Sequence, residues 1–193
     1  MLNTVAETAT VKKTTPAAGP AAPALNLDKL AAMSFEELES MYRAAPEPRN
    51  LRGPDGRPKG RMLAVRAISR GPLGDPIRAF AGARSFVWDG KTFQSHDDLR
   101  GEGVNRVQLP GVLGRQQLFP FATRIEASAI DGRRAIVLDY DLDANPGYIR
   151  KIHDEIREVE SGLFLGPAMW KTASSKVTVL WFALDTRTPS TWA

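Results

Sequence analysis

Two carboxylates that flank a tyrosine form the clearest candidate for catalytic chemistry in the chain. Asp139 and Asp141 stand on either side of Tyr140 near the end of a predicted strand, so both carboxylates share one face. Paired carboxylates can perform acid–base chemistry because the charge of one raises the pKa of the other. Together with Arg124 on the preceding predicted strand, Asp139 and Tyr140 are our candidate catalytic residues. The alternative is that these carboxylates are solvated at a strand end or cap the following turn.

A second group of side chains has the chemistry to hold a ligand. Arginine, asparagine and glutamate fall on the polar faces of predicted strands, where a guanidinium group could hold the carboxylate of a ligand. If that face points outward, these side chains are solvated instead. Tryptophan and tyrosine supply apolar area that belongs either to a packed core or to a cavity wall. The candidate ligand-binding residues are Arg84, Trp88, Asn105, Arg124, Glu126, Tyr140, Trp170 and Trp181.

The segment 146–159 contains the densest cluster of charge. It begins with a proline, its isoleucines recur every three or four residues, and Arg150 and Asp154 stand four residues apart. This pattern predicts an amphipathic helix with an exposed polar face. His153 lies off the apolar stripe, where a surface position and a role as general base are both open.

The composition of the 193-residue chain excludes several kinds of site. It has no cysteine and two histidines, so thiol nucleophiles and cysteine-based zinc sites are absent and a histidine-rich metal site is not expected. Glycine-rich phosphate-binding motifs, the G-x-S-x-G serine motif and the H-E-x-x-H zinc motif are also missing. We therefore expect no metal and no cofactor. The apolar runs are shorter than the roughly 18–20 residues that a membrane-spanning helix needs.

The net charge of +4 is concentrated in one part of the sequence. The segment 43–78 holds nine basic and three acidic residues, and a basic surface can bind a polyanion or an acidic membrane. Because the arginines are spread out rather than consecutive, we favour solvated loops and strands. We expect only weak, non-specific binding to nucleic acid, and keep a basic interaction module as one function hypothesis.

Residues 1–28 differ in composition from the rest of the chain. They are rich in threonine, proline and alanine, which is typical of a flexible tail that buries little apolar area. The first residues lack the continuous apolar stretch of a secretory signal peptide, so we expect a cytoplasmic protein. Residues 29–193 are predicted to form a single domain.

The sequence after the tail predicts one early helix followed by strands. A Ser-x-x-Glu capping box begins a predicted helix over 34–45. The Asp-Gly pairs at 89–90 and 131–132 predict two type I′ hairpin turns. The last strand, 177–184, is apolar on both faces, so it should be central or should line a cavity. The predicted strands cover 62–68, 84–88, 91–93, 104–109, 117–121, 123–130, 133–140, 163–170 and 177–184.

Neighbouring hairpins without β-α-β alternation predict an antiparallel sheet, and closure of such a sheet removes its exposed edges. The expected fold is a mainly β, antiparallel barrel of about eight strands. One helix precedes the barrel and one is inserted before the last two strands. A barrel of this size has room for side chains or one small ligand. We therefore expect binding of an apolar or amphipathic small molecule, with an isomerase or cyclase that uses the same cavity as the alternative.

The W-D-G-K-T-F sequence at 88–93 resembles the W-x-G-K-x-F stretch of bacterial proteins with GXWXG-type domains of unknown function. V-L-D-Y at 137–140 and L-G-P-A-M at 165–169 are also similar to that family. Gly60–Leu63 occupies the position expected for the G-x-W-x-G motif of that family, and the motif itself is missing from this sequence. The resemblance implies a calycin-like barrel, of the lipocalin and fatty-acid-binding type, without an established activity.

Overall fold

The computed structural model describes residues 24–65 and 87–190, which form eight strands and two α-helices. The helices are α1 (Leu27–Ala31) and α2 (Phe35–Ala44). The strands are β1 (Pro58–Val65), β2 (Val87–Ser95), β3 (Arg100–Gln108), β4 (Arg115–Ala127), β5 (Arg134–Asp139), β6 (Ile152–Glu160), β7 (Leu163–Lys171) and β8 (Lys176–Pro189). Each strand pairs antiparallel with the next, and β8 closes the barrel by pairing with β1. The predicted closed antiparallel barrel is confirmed.

The two helices pack against the outside of the barrel. The predicted capping box begins α2: the Ser34 hydroxyl accepts a hydrogen bond from the Glu37 amide, and the Glu37 carboxylate accepts one from the Ser34 amide. The Leu25 amide donates to a Glu160 carboxylate oxygen at 3.0 Å, so ordered contacts with the barrel begin before residue 29. Among the described residues, neither helix has the length and apolar character needed to cross a membrane.

The predicted helix over 146–159 is wrong. A single 3-10 turn, Ile149–Lys151, leads directly into β6. The apolar residues Ile152 and Ile156 are four apart, and residues four apart share a face in a strand as well as in a helix. Both isoleucines belong to the core inside the barrel. The isoleucine spacing therefore did not distinguish the two structures.

The first Asp-Gly pair does not form the predicted hairpin turn. The strand β2 continues through Asp89 and Gly90, and its pairing with β3 shifts register there, which defines a β-bulge. Gly90 has φ 136°, and an added Cβ would lie 2.4 Å from the Pro58 carbonyl oxygen. The second pair, Asp131–Gly132, lies in the connection between β4 and β5, but Gly132 has a positive φ, 74°, and Asp131 does not, so this connection is not the predicted type I′ turn.

The strand β8 separates two apolar cores, which explains why both of its faces are apolar. Leu180, Phe182 and Leu184 belong to the core inside the barrel. Trp181 and Ala183 belong to a second core, between the barrel wall and the helices. One strand therefore supports the cavity and the helix docking surface with alternate residues.

Among the described residues, fewer backbone pairs join β1 and β2 than join the other neighbouring strands. We term the β1–β2 boundary the seam. Within the described ranges, β1 and β2 share one register pair, Lys59 with Gly90, and Gly56 just before β1 forms a bridge with Phe93 on β2, whereas β1 and β8 pair along most of β1. The buried Arg106 side chain on β3 spans the seam. Its guanidinium donates to the Pro58 carbonyl on β1 at 2.7 Å and to the Lys91 carbonyl on β2.

Candidate functional site

A cavity of about 150 Å³ lies inside the barrel, and most of its lining is apolar. It extends from Tyr148, which is exposed, to Lys91, which is buried. An engineered cavity of similar volume in another protein holds a benzene molecule. Its apolar lining includes Met62, Ile152, Ala168, Val179, Leu180 and Phe182.

Four polar side chains meet at the buried part of this cavity, and we term Lys91, Asn105, Tyr140 and Asp154 the Lys91 cluster. Lys91 Nζ lies 2.6 Å from the Tyr140 hydroxyl oxygen, 2.8 Å from Asn105 Oδ1 and 3.0 Å from Asp154 Oδ2. An ammonium group has three N–H donors, so these contacts satisfy all of them. The Tyr140 hydroxyl in turn donates to Asp154 Oδ2 at 3.0 Å.

The bulge on β2 places Trp88 and Lys91 on the same face. Residues three apart in a regular strand point to opposite faces. Asp89 is the extra residue in the bulge, so the alternation restarts after it and both Trp88 and Lys91 line the cavity. The Asp-Gly pair that suggested a turn thus positions the cluster lysine.

A second bulge, on β4, orients Asn105. Phe119 is the extra residue there, and its φ of 60° is uncommon for a residue other than glycine. Asn105 Nδ2 donates to the Phe119 carbonyl oxygen at 3.2 Å, which directs Asn105 Oδ1 toward Lys91 and the Trp88 indole N–H. Sparsely populated backbone conformations of this kind cluster at functional sites.

Burial dominates the electrostatics of the Lys91 cluster. Burial lowers the pKa of Lys91, and the adjacent Asp154 carboxylate offsets this only in part. Burial also raises the pKa of the Tyr140 hydroxyl, and the charge of Asp154 raises it further. Four aromatic rings surround the amine, with centroids 5.1 to 5.4 Å from Nζ, close enough for cation–π attraction. These rings belong to Trp88, Phe121, Tyr140 and Phe182.

One oxygen of Asp154 is not satisfied by the described part of the chain. Asp154 Oδ2 accepts from Lys91 and Tyr140, but the buried Oδ1 has no hydrogen-bond partner there. A buried acceptor without a partner costs about 1–3 kcal/mol. Asp154 lines the cavity, but Oδ1 itself is fully buried, so a bound hydroxyl or N–H group could donate to this oxygen only after the side chain turns it toward the cavity.

Four of the predicted ligand-binding residues come together on the cavity wall. Asn105 and Tyr140 belong to the Lys91 cluster, Trp88 donates to Asn105, and the half-buried Trp170 lines the cavity from β7. The structure thus brings together residues from β2, β3 and β7 and from the segment just after β5. Their role in binding a ligand remains a prediction.

Asp139, Arg124 and Glu126 lie on the outer face of the barrel instead. Arg124 Nη1 donates to Asp139 Oδ2 at 3.0 Å, Lys171 Nζ donates to Asp139 Oδ1 at 3.0 Å, and Arg124 also pairs with Glu126. Burial raises the pKa of Asp139, but the Asp141 amide, Lys171 and Arg124 outweigh it, and the pKa falls to about 2. Strand alternation directs Asp139 away from Tyr140, so the three candidate catalytic residues are not assembled in one site.

Trp181 also lies away from the cavity. Its ring centroid is 5.5 Å from that of Tyr42 and 5.9 Å from that of Phe35, between α2 and the barrel wall. Trp181 is therefore a residue of the helix–barrel interface, because alternation along β8 turns it outward between Leu180 and Phe182. Arg84, the remaining candidate, lies outside the described residues.

The outward side chains of β6 are buried, which corrects the expectation of an exposed polar face. His153 Nε2 lies 2.9 Å from Glu155 Oε1, and the Tyr42 hydroxyl donates to Glu155 Oε2 at 2.9 Å. Arg157 donates to both carboxylate oxygens of Asp131 at 2.7 Å. His153 is therefore a buried residue beside Glu155 on the outward side of β6 rather than a surface histidine.

Lys91 and Asp154 belong to the site but were not predicted from the sequence. Lys91 followed a predicted turn, and Asp154 fell on the polar face of a predicted helix. A signal for Asp154 was present: in Ile152-His153-Asp154-Glu155-Ile156, a period of two places this carboxylate between two apolar residues. No comparable pattern marks Lys91.

The described part of the basic segment 43–78 is largely paired. Its described basic residues form the ion pairs Arg43–Glu39, Arg52–Asp98, Lys59–Asp89 and Arg61–Asp28, and its Glu47 pairs with Arg133. These acidic partners offset part of the local positive charge. This pairing favours the solvated interpretation of the segment, and weak nucleic-acid binding remains a prediction.

Neither a protein-family model nor a curated protein matches this chain. A crystal structure of a protein from Thermomonospora curvata is similar to it, with 17% sequence identity and a TM-score of 0.49. The alignment covers 79% of this chain and 87% of that one.

Proposed function

We propose that the barrel binds a small, mainly apolar molecule that has one polar end. The observation that carries this proposal is the cavity itself, which runs along apolar side chains and ends at the Lys91 cluster. Ligand sites typically combine an apolar wall with a few convergent polar groups. Asp154, whose Oδ1 has no hydrogen-bond partner among the described residues, is one of these polar groups and becomes the partner of the ligand once its side chain turns this oxygen toward the cavity.

The charges of the cluster favour a neutral polar end. Lys91 and Asp154 already form an ion pair at 3.0 Å, so their charges offset each other. A carboxylate on the ligand would lie close to the carboxylate of Asp154, and like charges repel strongly in a buried site. A hydroxyl group can instead donate to Asp154 Oδ1. The cavity volume suits one six-membered ring or a short alkyl chain.

Three ring compounds of similar size test this proposal. Benzyl alcohol carries a hydroxyl donor, toluene carries no polar group, and benzoate carries a negative charge. We expect benzyl alcohol to bind about two- to tenfold more tightly than toluene, which corresponds to one hydrogen bond, and benzoate to bind most weakly. Ligand-observed NMR titration measures all three, and failure of both benzyl alcohol and toluene to bind would refute the proposal.

A matched pair of variants tests whether the cavity is the binding site. Ala168→Leu adds a larger side chain to the cavity lining, whereas Ala127→Leu makes the same change at an exposed position on β4. We expect Ala168→Leu to abolish benzyl alcohol binding and Ala127→Leu to leave it unchanged. Circular dichroism of both variants checks that the barrel is retained. Equal binding by the two variants would place the ligand elsewhere.

A further inference from the structure

The position of Lys91 supports a chemical step that rests on the proposed function. We propose that the Lys91 amine captures a small apolar aldehyde as an imine. The amine lines an apolar cavity that reaches the surface, it is held by three oxygen atoms, and a carboxylate lies 3.0 Å away. These are the groups that imine formation needs: a nucleophilic amine, a proton carrier and a counter-ion for the product.

The amine must lose a proton before it can attack a carbonyl carbon. Asp154 Oδ2 and the Tyr140 hydroxyl oxygen both lie within hydrogen-bonding distance of Lys91 Nζ. Transfer of one proton from Lys91 to Asp154 gives the neutral amine, whose lone pair can attack a carbonyl carbon. The lowered pKa of Lys91 also favours the neutral amine.

The proton then completes the reaction. The neutral amine attacks the aldehyde carbon, a C–N bond forms, and the carbonyl oxygen takes the proton from Asp154 to give a carbinolamine that is protonated on nitrogen. Asp154 then carries one proton from that nitrogen to the hydroxyl group. The hydroxyl leaves as water, the C–O bond breaks, and an iminium cation remains on Lys91 with Asp154 again a carboxylate. One aldehyde and one lysine ammonium thus yield one iminium and one water, without an oxidant or reductant.

The carboxylate and the aromatic rings around Lys91 also stabilise the iminium product. The iminium carries the positive charge of the original ammonium, so Asp154 remains its counter-ion and the four aromatic rings around Nζ still face a cation. The apolar wall accepts the body of the aldehyde. The unsatisfied Asp154 Oδ1 can accept from the carbinolamine hydroxyl.

Reductive trapping tests the proposal on the wild-type protein. Cyanoborohydride reduces an imine between benzaldehyde and lysine to a stable benzyl amine, and peptide mass spectrometry identifies the modified lysine. Lys151 and Lys176, which are exposed, serve as internal references. At limiting benzaldehyde and neutral pH we expect Lys91 to be modified in clear preference to either reference, because the cavity holds benzaldehyde beside its amine and burial lowers its pKa.

Two further measurements connect the labelling to the cavity. Benzyl alcohol, which cannot form an imine, should compete and lower labelling at Lys91 while labelling at Lys151 is unchanged. Ala168→Leu keeps Lys91 but fills the cavity, so it should lose labelling at Lys91 alone. Ala127→Leu, the exposed control, should label as the wild type does.

Failure of this proposal is distinguishable from failure of the proposed function. If benzyl alcohol binds in the cavity but benzaldehyde modifies the exposed lysines and leaves Lys91 untouched, the imine proposal is overturned and the binding function stands. If neither benzyl alcohol nor toluene binds and Lys91 is unmodified, both proposals are overturned. Labelling of Lys91 that benzyl alcohol does not reduce would also overturn the cavity-directed capture proposed here.

Discussion

Lys91 Nζ and Asp154 Oδ2 lie 3.0 Å apart inside the barrel, and neither side chain is more than 5% exposed. A buried ion pair of this kind contributes little net stability, because removing two charges from water offsets their attraction. Removal of one partner is costly, since it leaves the other charge buried and alone. The pair is therefore better explained by a role in the cavity than by a role in folding.

A double-mutant cycle tests this interpretation of the ion pair. Asp154→Leu should lower the free energy of unfolding by about 3–5 kcal/mol, because it leaves Lys91 unpaired. The double variant Lys91→Met with Asp154→Leu should recover most of that loss. Urea denaturation of the single variants and the double variant gives the coupling free energy. Additive losses in the double variant would show that the two residues do not act as a pair.

Two tryptophans on opposite sides of the barrel wall should respond differently to truncation. Trp181→Ala removes a fully buried ring between α2 and β8, and should lower the free energy of unfolding by about 3–5 kcal/mol. Trp170→Ala removes a half-buried ring of the cavity lining and should mainly weaken benzyl alcohol binding. Denaturation and NMR titration of both variants separate these effects. The opposite pattern would contradict the placement of the two rings.

The bulge glycine should be far less replaceable than a turn glycine. Gly90→Ala combines a φ of 136° with a Cβ only 2.4 Å from the Pro58 carbonyl oxygen. Gly132→Ala also meets a positive φ, 74°, but its Cβ has no neighbour within 4 Å. We expect Gly132→Ala to cost about 1 kcal/mol from backbone strain and Gly90→Ala to cost distinctly more. Equal thermal unfolding midpoints for the two variants would contradict this expectation.

Asp139 should contribute a defined part of the acid sensitivity of the barrel. Its pKa is about 2 in the folded protein, below its ordinary value of 3.8. The unfolded state therefore binds more protons between these values, so the stabilisation is fully present above about pH 4 and is lost as pH falls toward 2. Asp139→Asn should remove this component of the pH dependence.

Thermal unfolding between pH 2 and pH 7 measures this component. Asp143→Asn provides the control, because the Asp143 side chain is fully exposed. The control should follow the wild-type pH dependence closely. If Asp139→Asn keeps the wild-type slope below about pH 4, the ion network around Asp139 does not stabilise the barrel.

The barrel could be predicted because strand alternation is a local property that the sequence displays directly. The segment 123–130 alternates apolar and polar residues, and the apolar stretch 177–184 signalled a strand buried on both sides. What lies on each side of 177–184 depends on α2, which is far away in sequence. For this reason the outward position of Trp181 was not predictable from β8 alone.

The site could be predicted only in part, because irregular strands create it. Tyr140, Asn105, Trp88 and Trp170 were identified from their chemistry and their place on strands. Lys91 faces the cavity only because the bulge at Asp89 shifts the alternation. An Asp-Gly pair favours both a tight turn and a bulge, and the choice is made by the neighbouring strand.

The uneven pairing around the barrel determines where its amide protons should exchange with solvent. Among the described residues, the β1–β2 seam has one register pair and the adjacent Gly56–Phe93 bridge, and the Arg106 side chain supplies hydrogen bonds across it. Within residues 24–65 and 87–190, local opening at this boundary breaks fewer backbone hydrogen bonds than opening between β7 and β8, which pair along their length. Transient fluctuations of the closed sheet should therefore begin at the seam. Protection of backbone amide protons from exchange should be lowest there and higher between β7 and β8.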